Sequence, residues 1–296
     1  MTPFVGGFLL TGAFFSLEIP EKSCKEVKVL TTLHTMASGS SGNALVLSCG
    51  DTHVLVDAGI SCRRITTSLR ELGLTPEDLS GLLITHTHSD HIGGLQTLLK
   101  HSHFPLYATV QAGRELCCRL PLAENRLRNV TPLSPFAVGD CTVTAFSISH
   151  DAPGACGYRL DTGDGSVGIL TDTGYVTDEA EKVLPGVDLA ILEANHDVET
   201  LRSGPYPYTL KQRILGPQGH LSNEDAGAFA AQLARSGTSE IVLAHLSREN
   251  NTPAQAYNAV ERSLQTVKSH PTALSVAPRD HLSEAHVLGR RAVCRK

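Results

Sequence analysis

The segment His86-Thr87-His88-Ser89-Asp90-His91 gathers three imidazoles and a carboxylate into six residues. Such groups bind divalent transition metals, and their spacing says how. In extended backbone, residues two apart point the same way, so His86 and His88 can hold one ion. Asp90 and His91 fall where the chain turns toward a helix, and from there they can reach a second. Neutral imidazole with carboxylate suits Zn²⁺, and the carboxylate share also admits Mn²⁺ or iron. The plain alternative is a His-rich loop in solvent. Two ions need more ligands than one loop offers. Three further residues stand just past strand-like runs: His150, Asp172 and His245. Singly each reads as an ordinary strand-end residue; their shared position argues for one site.

The elements that would carry these residues alternate in α/β fashion. Strands are expected at 27–32, 44–48, 53–57, 81–85, 106–109, 141–147, 156–161, 166–171, 188–193 and 240–245. Helices are expected at 63–72, 94–101, 110–120, 223–236 and 253–266. Thr162-Gly163-Asp164-Gly165 has the Gly and Asp residues that suit positive φ in a hairpin turn. With no linker-like stretch or fixed-period repeat, one domain over 27–280 is expected, between an N-terminal extension (1–26) and a basic tail (281–296).

Composition sets outer limits. At 296 residues, 41% hydrophobic and 19% charged, the chain is neither disordered nor collagen-like nor a coiled coil. The apolar run at 4–17 is too short to span a membrane and lacks the basic residues that begin a signal peptide. The eight Cys form no C-x-x-C pair, which fits reduced thiols and a cytoplasmic location. A net charge of −5 gives no overall pull toward nucleic acid or anionic lipid, so any such contact needs a local patch. Arg202, Lys211, Arg213 and His220 lie within 200–223 without one acidic residue. Arg114, Arg119, Arg126 and Arg128 form a second cluster, and Arg290, Arg291, Arg295 and Lys296 a third. Solvated helix faces would look the same.

The series H-x-H-x-D-H, His, Asp, His resembles the metallo-β-lactamase fold, over roughly 27–277. That resemblance implies an αββα sandwich with a dinuclear site at the strand ends. It assigns His86, His88 and His150 to one metal, Asp90, His91 and His245 to the other, and Asp172 to a bridge between them. Further stretches narrow the branch: 37–43 (A-S-G-S-S-G-N), 55–59 (L-V-D-A-G), 193–197 (E-A-N-H-D), 219–223 (G-H-L-S-N) and 245–251 (H-L-S-R-E-N-N). Together they resemble the YycJ (WalJ) group, whose members degrade DNA from the 5′ end. The E-A-x and G-H-L-S elements are also similar to those of RNase Z. On that analogy Glu193 orients His220, which contacts the scissile phosphate or protonates the leaving oxygen, so the catalytic set is Asp90, Glu193 and His220.

Physical chemistry supports the same reaction. Two divalent ions held by two carboxylates and neutral His keep a residual positive charge, which suits a phosphodiester transition state. Water on such an ion has its pKa lowered toward neutrality and supplies a hydroxide nucleophile. The leaving oxygen needs a proton, which an imidazole can give. His196 competes with His220 and ranks second, as a substrate-side residue. Asp57 ends its strand in the manner of a carboxylate that receives N–H from a ligand His; a turn Asp is the alternative. Ser40, Ser41 and Asn43 lie in a Gly-rich turn whose amides could approach a phosphate, though a tight hairpin needs the same glycines.

Other signals fail. Asp161-Thr162-Gly163 and Asp172-Thr173-Gly174 are too close in sequence to be an aspartic protease pair. No P-loop, dinucleotide fingerprint or nucleophile elbow occurs. Cys117 and Cys118 sit on an expected helix, where core packing is the default. The expectation is a metal-dependent 5′-to-3′ DNA exonuclease, with self-association left open. The rivals are an RNase Z-like ribonuclease, a lactonase or thioesterase of the same fold, and a non-catalytic metal module.

Overall fold

The structure, a computed structural model, describes residues 30–267 and 271–289. The N-terminal extension, most of the strand expected at 27–32 and the tail cations Arg290, Arg291, Arg295 and Lys296 lie outside the described residues. The first half supplies β1 (Thr32–Ala37), β2 (Ala44–Cys49), β3 (Thr52–Val56), β4 (Leu79–Leu83), β5 (Leu106–Thr109) and β6 (Leu127–Val130). Helices α1 (Cys62–Glu71), α2 (Ser89–Ile92), α3 (Leu95–His101) and α4 (Val110–Arg119) connect them. The second half supplies β7 (Phe136–Val138), β8 (Cys141–Ser147), β9 (Cys156–Thr162), β10 (Gly165–Leu170), β11 (Leu189–Glu193), β12 (Glu240–Ala244) and β13 (Ala273–Val276). Its helices are α5 (Asp178–Val183), α6 (Val198–Ser203), α7 (Tyr208–Leu215), α8 (Asn223–Arg235) and α9 (Pro253–Leu264). β14 (His286–Val287) returns to the first sheet.

Two sheets result, in the orders β14-β1-β2-β3-β4-β5-β6 and β13-β12-β11-β10-β9-β8-β7. A core containing Leu33, Val54, Leu83, Tyr158, Ile191 and Val242 fills the space between them. A second core joins the outer face of the first sheet to α1, α3 and α4 through Leu55, Ile65, Leu69, Leu98 and Leu116. A third joins the other sheet to α8 and α9 through Leu192, Phe229, Leu233 and Val260. These are the four layers of an αββα sandwich. β10, β11 and β12 run parallel, and their apolar sequences follow from burial on both faces. Helix starts follow from capping chemistry: the side chains of Ser61, Thr109, Thr177, Asp197, Ser222 and Thr252 each accept a backbone N–H in the first turn.

Several expectations change. The first described strand is Thr32–Ala37, not 27–32. The apolar residues before it drew the expectation, whereas β1 itself buries the polar His34 and Thr35 and so does not read as a strand. The β9–β10 hairpin forms, but Gly165 alone in its turn has positive φ, at 154°. The Thr162 hydroxyl holds the turn instead, accepting from the Asp164 amide at 3.3 Å and donating to the Gly165 carbonyl at 2.8 Å. Residues 281–289, read as the start of a tail, lie against β1, with Ser283 N donating to Thr35 O at 2.8 Å and Leu288 buried. Cys118 is exposed, while Cys117 packs at the edge of a core.

Candidate metal centre

Past the end of β4 the chain runs through Thr85 to His86 and then enters α2, which carries Asp90 and His91. Backbone bonds clamp this loop from the side: Asn43 N to Asp90 O, Ala58 N to His91 O and Gly94 N to Ala58 O, each 2.8 Å. Gly59 allows that approach, because a Cβ there would lie 1.6 Å from the Asp90 carbonyl oxygen. From α4, Arg119 donates to the Thr87 carbonyl at 2.6 Å. The second sheet contributes the ends of its parallel strands. Leu170 pairs with Leu192, and Glu193 with Ala244, so Asp172, Glu193 and His245 emerge side by side. Asp57, Asp172 and His245 have left-handed backbone, with φ of 59°, 58° and 54°. Each such residue costs about 1–2 kcal/mol and turns the chain sharply at its strand end.

The candidate ligand atoms converge. His86, His88 and His150 form one group and Asp90, His91 and His245 another, each with its atoms within 4.8 Å of one another. Asp172 lies between: Oδ2 is 3.2 Å from His91 Nε2, and Oδ1 is 3.4 Å from His245 Nε2 and 4.0 Å from His150 Nε2. His86 Nε2, His245 Nε2 and Asp172 Oδ2 are buried without a hydrogen-bond partner. Orphaned nitrogens and a carboxylate oxygen aimed at a common space are what a bound cation would satisfy, so the residues present fit divalent metal.

In four of the five histidines the other ring nitrogen faces an outward acceptor, which fixes the ring, while His88 Nδ1 lies 3.2 Å from His150 Nε2. His91 Nδ1 donates to Asp57 Oδ2 at 2.7 Å, and His245 Nδ1 donates to Glu193 Oε1 at 3.0 Å. His150 Nδ1 lies 3.3 Å from Gly219 O, and His86 Nδ1 lies 3.1 Å from the Thr85 hydroxyl. Burial would lower the His245 pKa, but Asp172, Asp90 and Glu193 hold it at about 10. Burial likewise opposes the charge on His91, and Asp172 and Asp57 raise its pKa well above the usual value. Deeper in imidazole company, His86 is pushed well below it by burial and by the neighbouring His91.

At the edge of the cluster, His220 Nδ1 donates to Glu193 Oε1 at 2.8 Å, with its ring centre 5.3 Å from those of both His150 and His245. Burial disfavours the Glu193 carboxylate, yet His220 and the bond from His245 bring its pKa down to about 2. Burial also disfavours charge on His220, and Glu193 overrides it and raises that pKa. The same Glu193 oxygen therefore serves His220 and His245, while Oε2 accepts from the Thr173 and Leu221 amides at 2.9 and 3.3 Å. Sequence reasoning had Glu193 serving His220 alone.

The remaining expected residues divide. Asp57 binds His91 and Thr85. Asn43 is buried and bonds Gly39, Asp90 O and His91 Nε2, so it braces the loop rather than facing a substrate. Ser40 lines a cavity beside His150, and Ser41 is exposed in the same turn. His196 is buried, with both ring nitrogens unpartnered and no part in lining that cavity; burial lowers its pKa to about 4. The sequence reading missed Asp151, which sits 3.6 Å from His88 and 3.5 Å from His150 and binds Arg213. Its adjacency to His150 was the available signal. Of the second Arg cluster, Arg119 and Arg126 bind the backbone carbonyls of Thr87 and Ser102.

Residues 52–246 match the family described as the β-lactamase superfamily domain. Exodeoxyribonuclease WalJ of Streptococcus pneumoniae is 40% identical over 234 residues, covering 77% of this chain and 86% of that protein. Exodeoxyribonuclease YycJ of Bacillus anthracis is 38% identical over 233 residues, covering 78% and 88%. The crystal structure of the metallo-β-lactamase fold protein YhfI from Bacillus subtilis superposes with a TM-score of 0.61 at 19% identity, covering 86% of this chain and 99% of that one. At that identity it bears on the fold alone. Sequence match, sandwich and His/Asp cluster agree, and the chain belongs to the metallo-β-lactamase superfamily, in the family of WalJ and YycJ.

Proposed function

We propose that this chain is a metal-dependent exodeoxyribonuclease that degrades DNA from the 5′ end. The named activity of its 38–40% identical relatives supports the substrate. The observation that carries phosphodiester chemistry over lactone or thioester opening is the His220–Glu193 pair beside the ligand cluster, because an alkoxide leaving group needs a proton. His86, His88 and His150 would hold one ion, Asp90, His91 and His245 the other, and Asp172 both. Zn²⁺ or Mn²⁺ suits these donors, and iron is compatible. When bound, the ions supply an activated water and neutralise charge on the phosphate.

The chain's own residues do the rest. Asp57 and Glu193 hold the rings of His91 and His245 so that each Nε2 faces the cluster. Glu193 also keeps the His220 Nδ1–H and, by raising the pKa of the ring, favours the imidazolium, whose Nε2–H can be handed outward. Hydrolysis adds the oxygen of water to phosphorus, breaks the P–O3′ bond and gives the 3′ oxygen its proton from His220. The products are the 5′ nucleotide and a strand with a new 5′ phosphate. The six described cysteines are free, which supports a reducing, cytoplasmic setting. Among the described residues no helix is long and apolar enough to cross a membrane.

The test is purified protein with Mn²⁺ or Zn²⁺ on single- and double-stranded DNA and RNA, labelled at either end. Release of label from the 5′ end of DNA is expected. Turnover of lactones or thioesters with no cleavage of DNA would overturn the reading.

A further inference from the structure

A cavity of about 240 Å³ opens beside the ligand cluster, between His150 and His220 on one side and α7 on the other. No residue of α7 is buried, and it contributes nothing to the three cores, yet Leu210, Arg213 and Ile214 line the cavity. Tyr206, just before α7, completes that wall. The chain has six Tyr and no Trp, and three of the Tyr stand in this quarter: Tyr206 on the wall, with Tyr175 and Tyr208 exposed on neighbouring segments. Gly174 packs against Pro217, which brings the Tyr175 loop to the end of α7.

Arg213 is held there from below. Its Nε and Nη2 reach Asp151 Oδ2 at 2.7 and 2.6 Å, and the other oxygen of Asp151 faces His88 and His150. Arg213 Nη1 has no protein partner among the described residues, and the side chain is 60% exposed. Asp151 is thus a positioning residue that ties a peripheral helix to the metal ligands. What remains outward is a guanidinium edge suited to a phosphate.

The chemistry of the cut says which part of the substrate belongs in this cavity. The 3′ oxygen protonated by His220 is part of the nucleotide being released, and His220 lines the cavity. We propose that the cavity receives the 5′-terminal nucleotide, with Tyr206 against its base and Arg213 on its 5′ phosphate. This rests on the exonuclease reading. At about 240 Å³ the space lies just below the usual range of ligand pockets, about 300–1,000 Å³, so it has room for no more than one nucleotide and mononucleotide products are expected.

The experiment compares metal-loaded wild type, Tyr206→Ala, Tyr206→Phe and Arg213→Ala on single-stranded DNA with a normal or an abasic 5′-terminal nucleotide. Metal content and melting temperature show that each variant is folded and loaded. Wild type is expected to prefer the normal end in kcat/KM by about 5- to 150-fold, the range that stacking of one base on an aromatic ring supplies. Tyr206→Ala should abolish that preference, and Tyr206→Phe should keep it. Arg213→Ala should raise KM for strands with a 5′ phosphate and flatten the salt dependence by about 0.7 in log–log slope. A preference that is absent in wild type, or that survives in Tyr206→Ala, overturns the proposal while the exonuclease reading stands, as do dinucleotide products. If wild type degrades no DNA at all, the exonuclease reading fails and this proposal falls with it.

Discussion

Replacing Asp57 by Asn removes one negative charge and exchanges one acceptor oxygen for an NH₂ donor with little change of shape. Asp57 Oδ2 takes the His91 Nδ1 proton at 2.7 Å and the Thr85 hydroxyl at 2.8 Å, and Oδ1 takes the Thr85 amide at 2.9 Å. An amide has only one oxygen for these two sides. If that oxygen keeps Thr85 N–H, the NH₂ group confronts His91 Nδ1, and the ring must move its proton to Nε2, the atom 3.2 Å from Asp172. A nitrogen carrying a proton cannot ligate a metal. If the amide flips, His91 keeps its tautomer but a buried donor meets the Thr85 amide, at a cost of about 1–3 kcal/mol in folding. Asn tolerates the left-handed φ of 59°, so the variant is expected to fold. Loss of such an outer partner typically weakens metal binding about 10- to 100-fold, or roughly 1.4–2.7 kcal/mol. A competitive chelator titration with elemental analysis measures this, and the ion bound by Asp90, His91 and His245 should be the more weakened. DNA cleavage should return at raised metal concentration. Equal affinity of both ions in variant and wild type would refute the tautomer argument.

Four other outcomes are expected. Asp172→Ala should lower occupancy at both metal positions by elemental analysis, since its oxygens approach His91, His150 and His245. His220→Ala should slow DNA cleavage about 10²–10⁴-fold but affect a nitrophenyl phosphodiester much less, since that leaving group needs little protonation; Glu193→Gln should show the same loss and also loosen metal, because it holds His245. Stability should fall as pH drops from about 6.5 to 4: His196 has a folded pKa of about 4, so the unfolded chain takes the proton first, at a cost of about 3 kcal/mol that His196→Asn should lack in denaturant titrations. Cys118, exposed, should react with a maleimide at pH 8, while Cys141 and Cys156, whose thiols burial pushes up to about 12, should stay unmodified in mapped digests.

Much of the centre was legible because its determinants are local. His86 to His91 is one contiguous motif, and His150, Asp172 and His245 could be found because strands announce their ends by composition. The parallel order of β10, β11 and β12 then brings those ends together, which no single strand reveals. Glu193 shows the limit: its type suggested a partner for His220, but sharing one oxygen between His220 and His245 depends on the register of β11 against β12. The bond from Arg213 to Asp151 crosses 62 positions and left no trace beyond a run of basic residues. β1 was hidden for a different reason, since its buried His34 ring and the Thr35 amide are satisfied by Ser283, which arrives from the far end of the chain.

Asp57, Asp172 and His245 are three of the four non-glycine residues with left-handed backbone among the described residues. Glycine would relieve about 1 kcal/mol or more of backbone strain in any of those conformations. The same change at Asp57 would strip the bonds from His91 and from the Thr85 amide and hydroxyl, and each buried partner left unsatisfied costs about 1–3 kcal/mol. The lost bonds outweigh the strain, so a library of variants ranked by melting temperature alone would return Asp57 even with turnover left out of the selection.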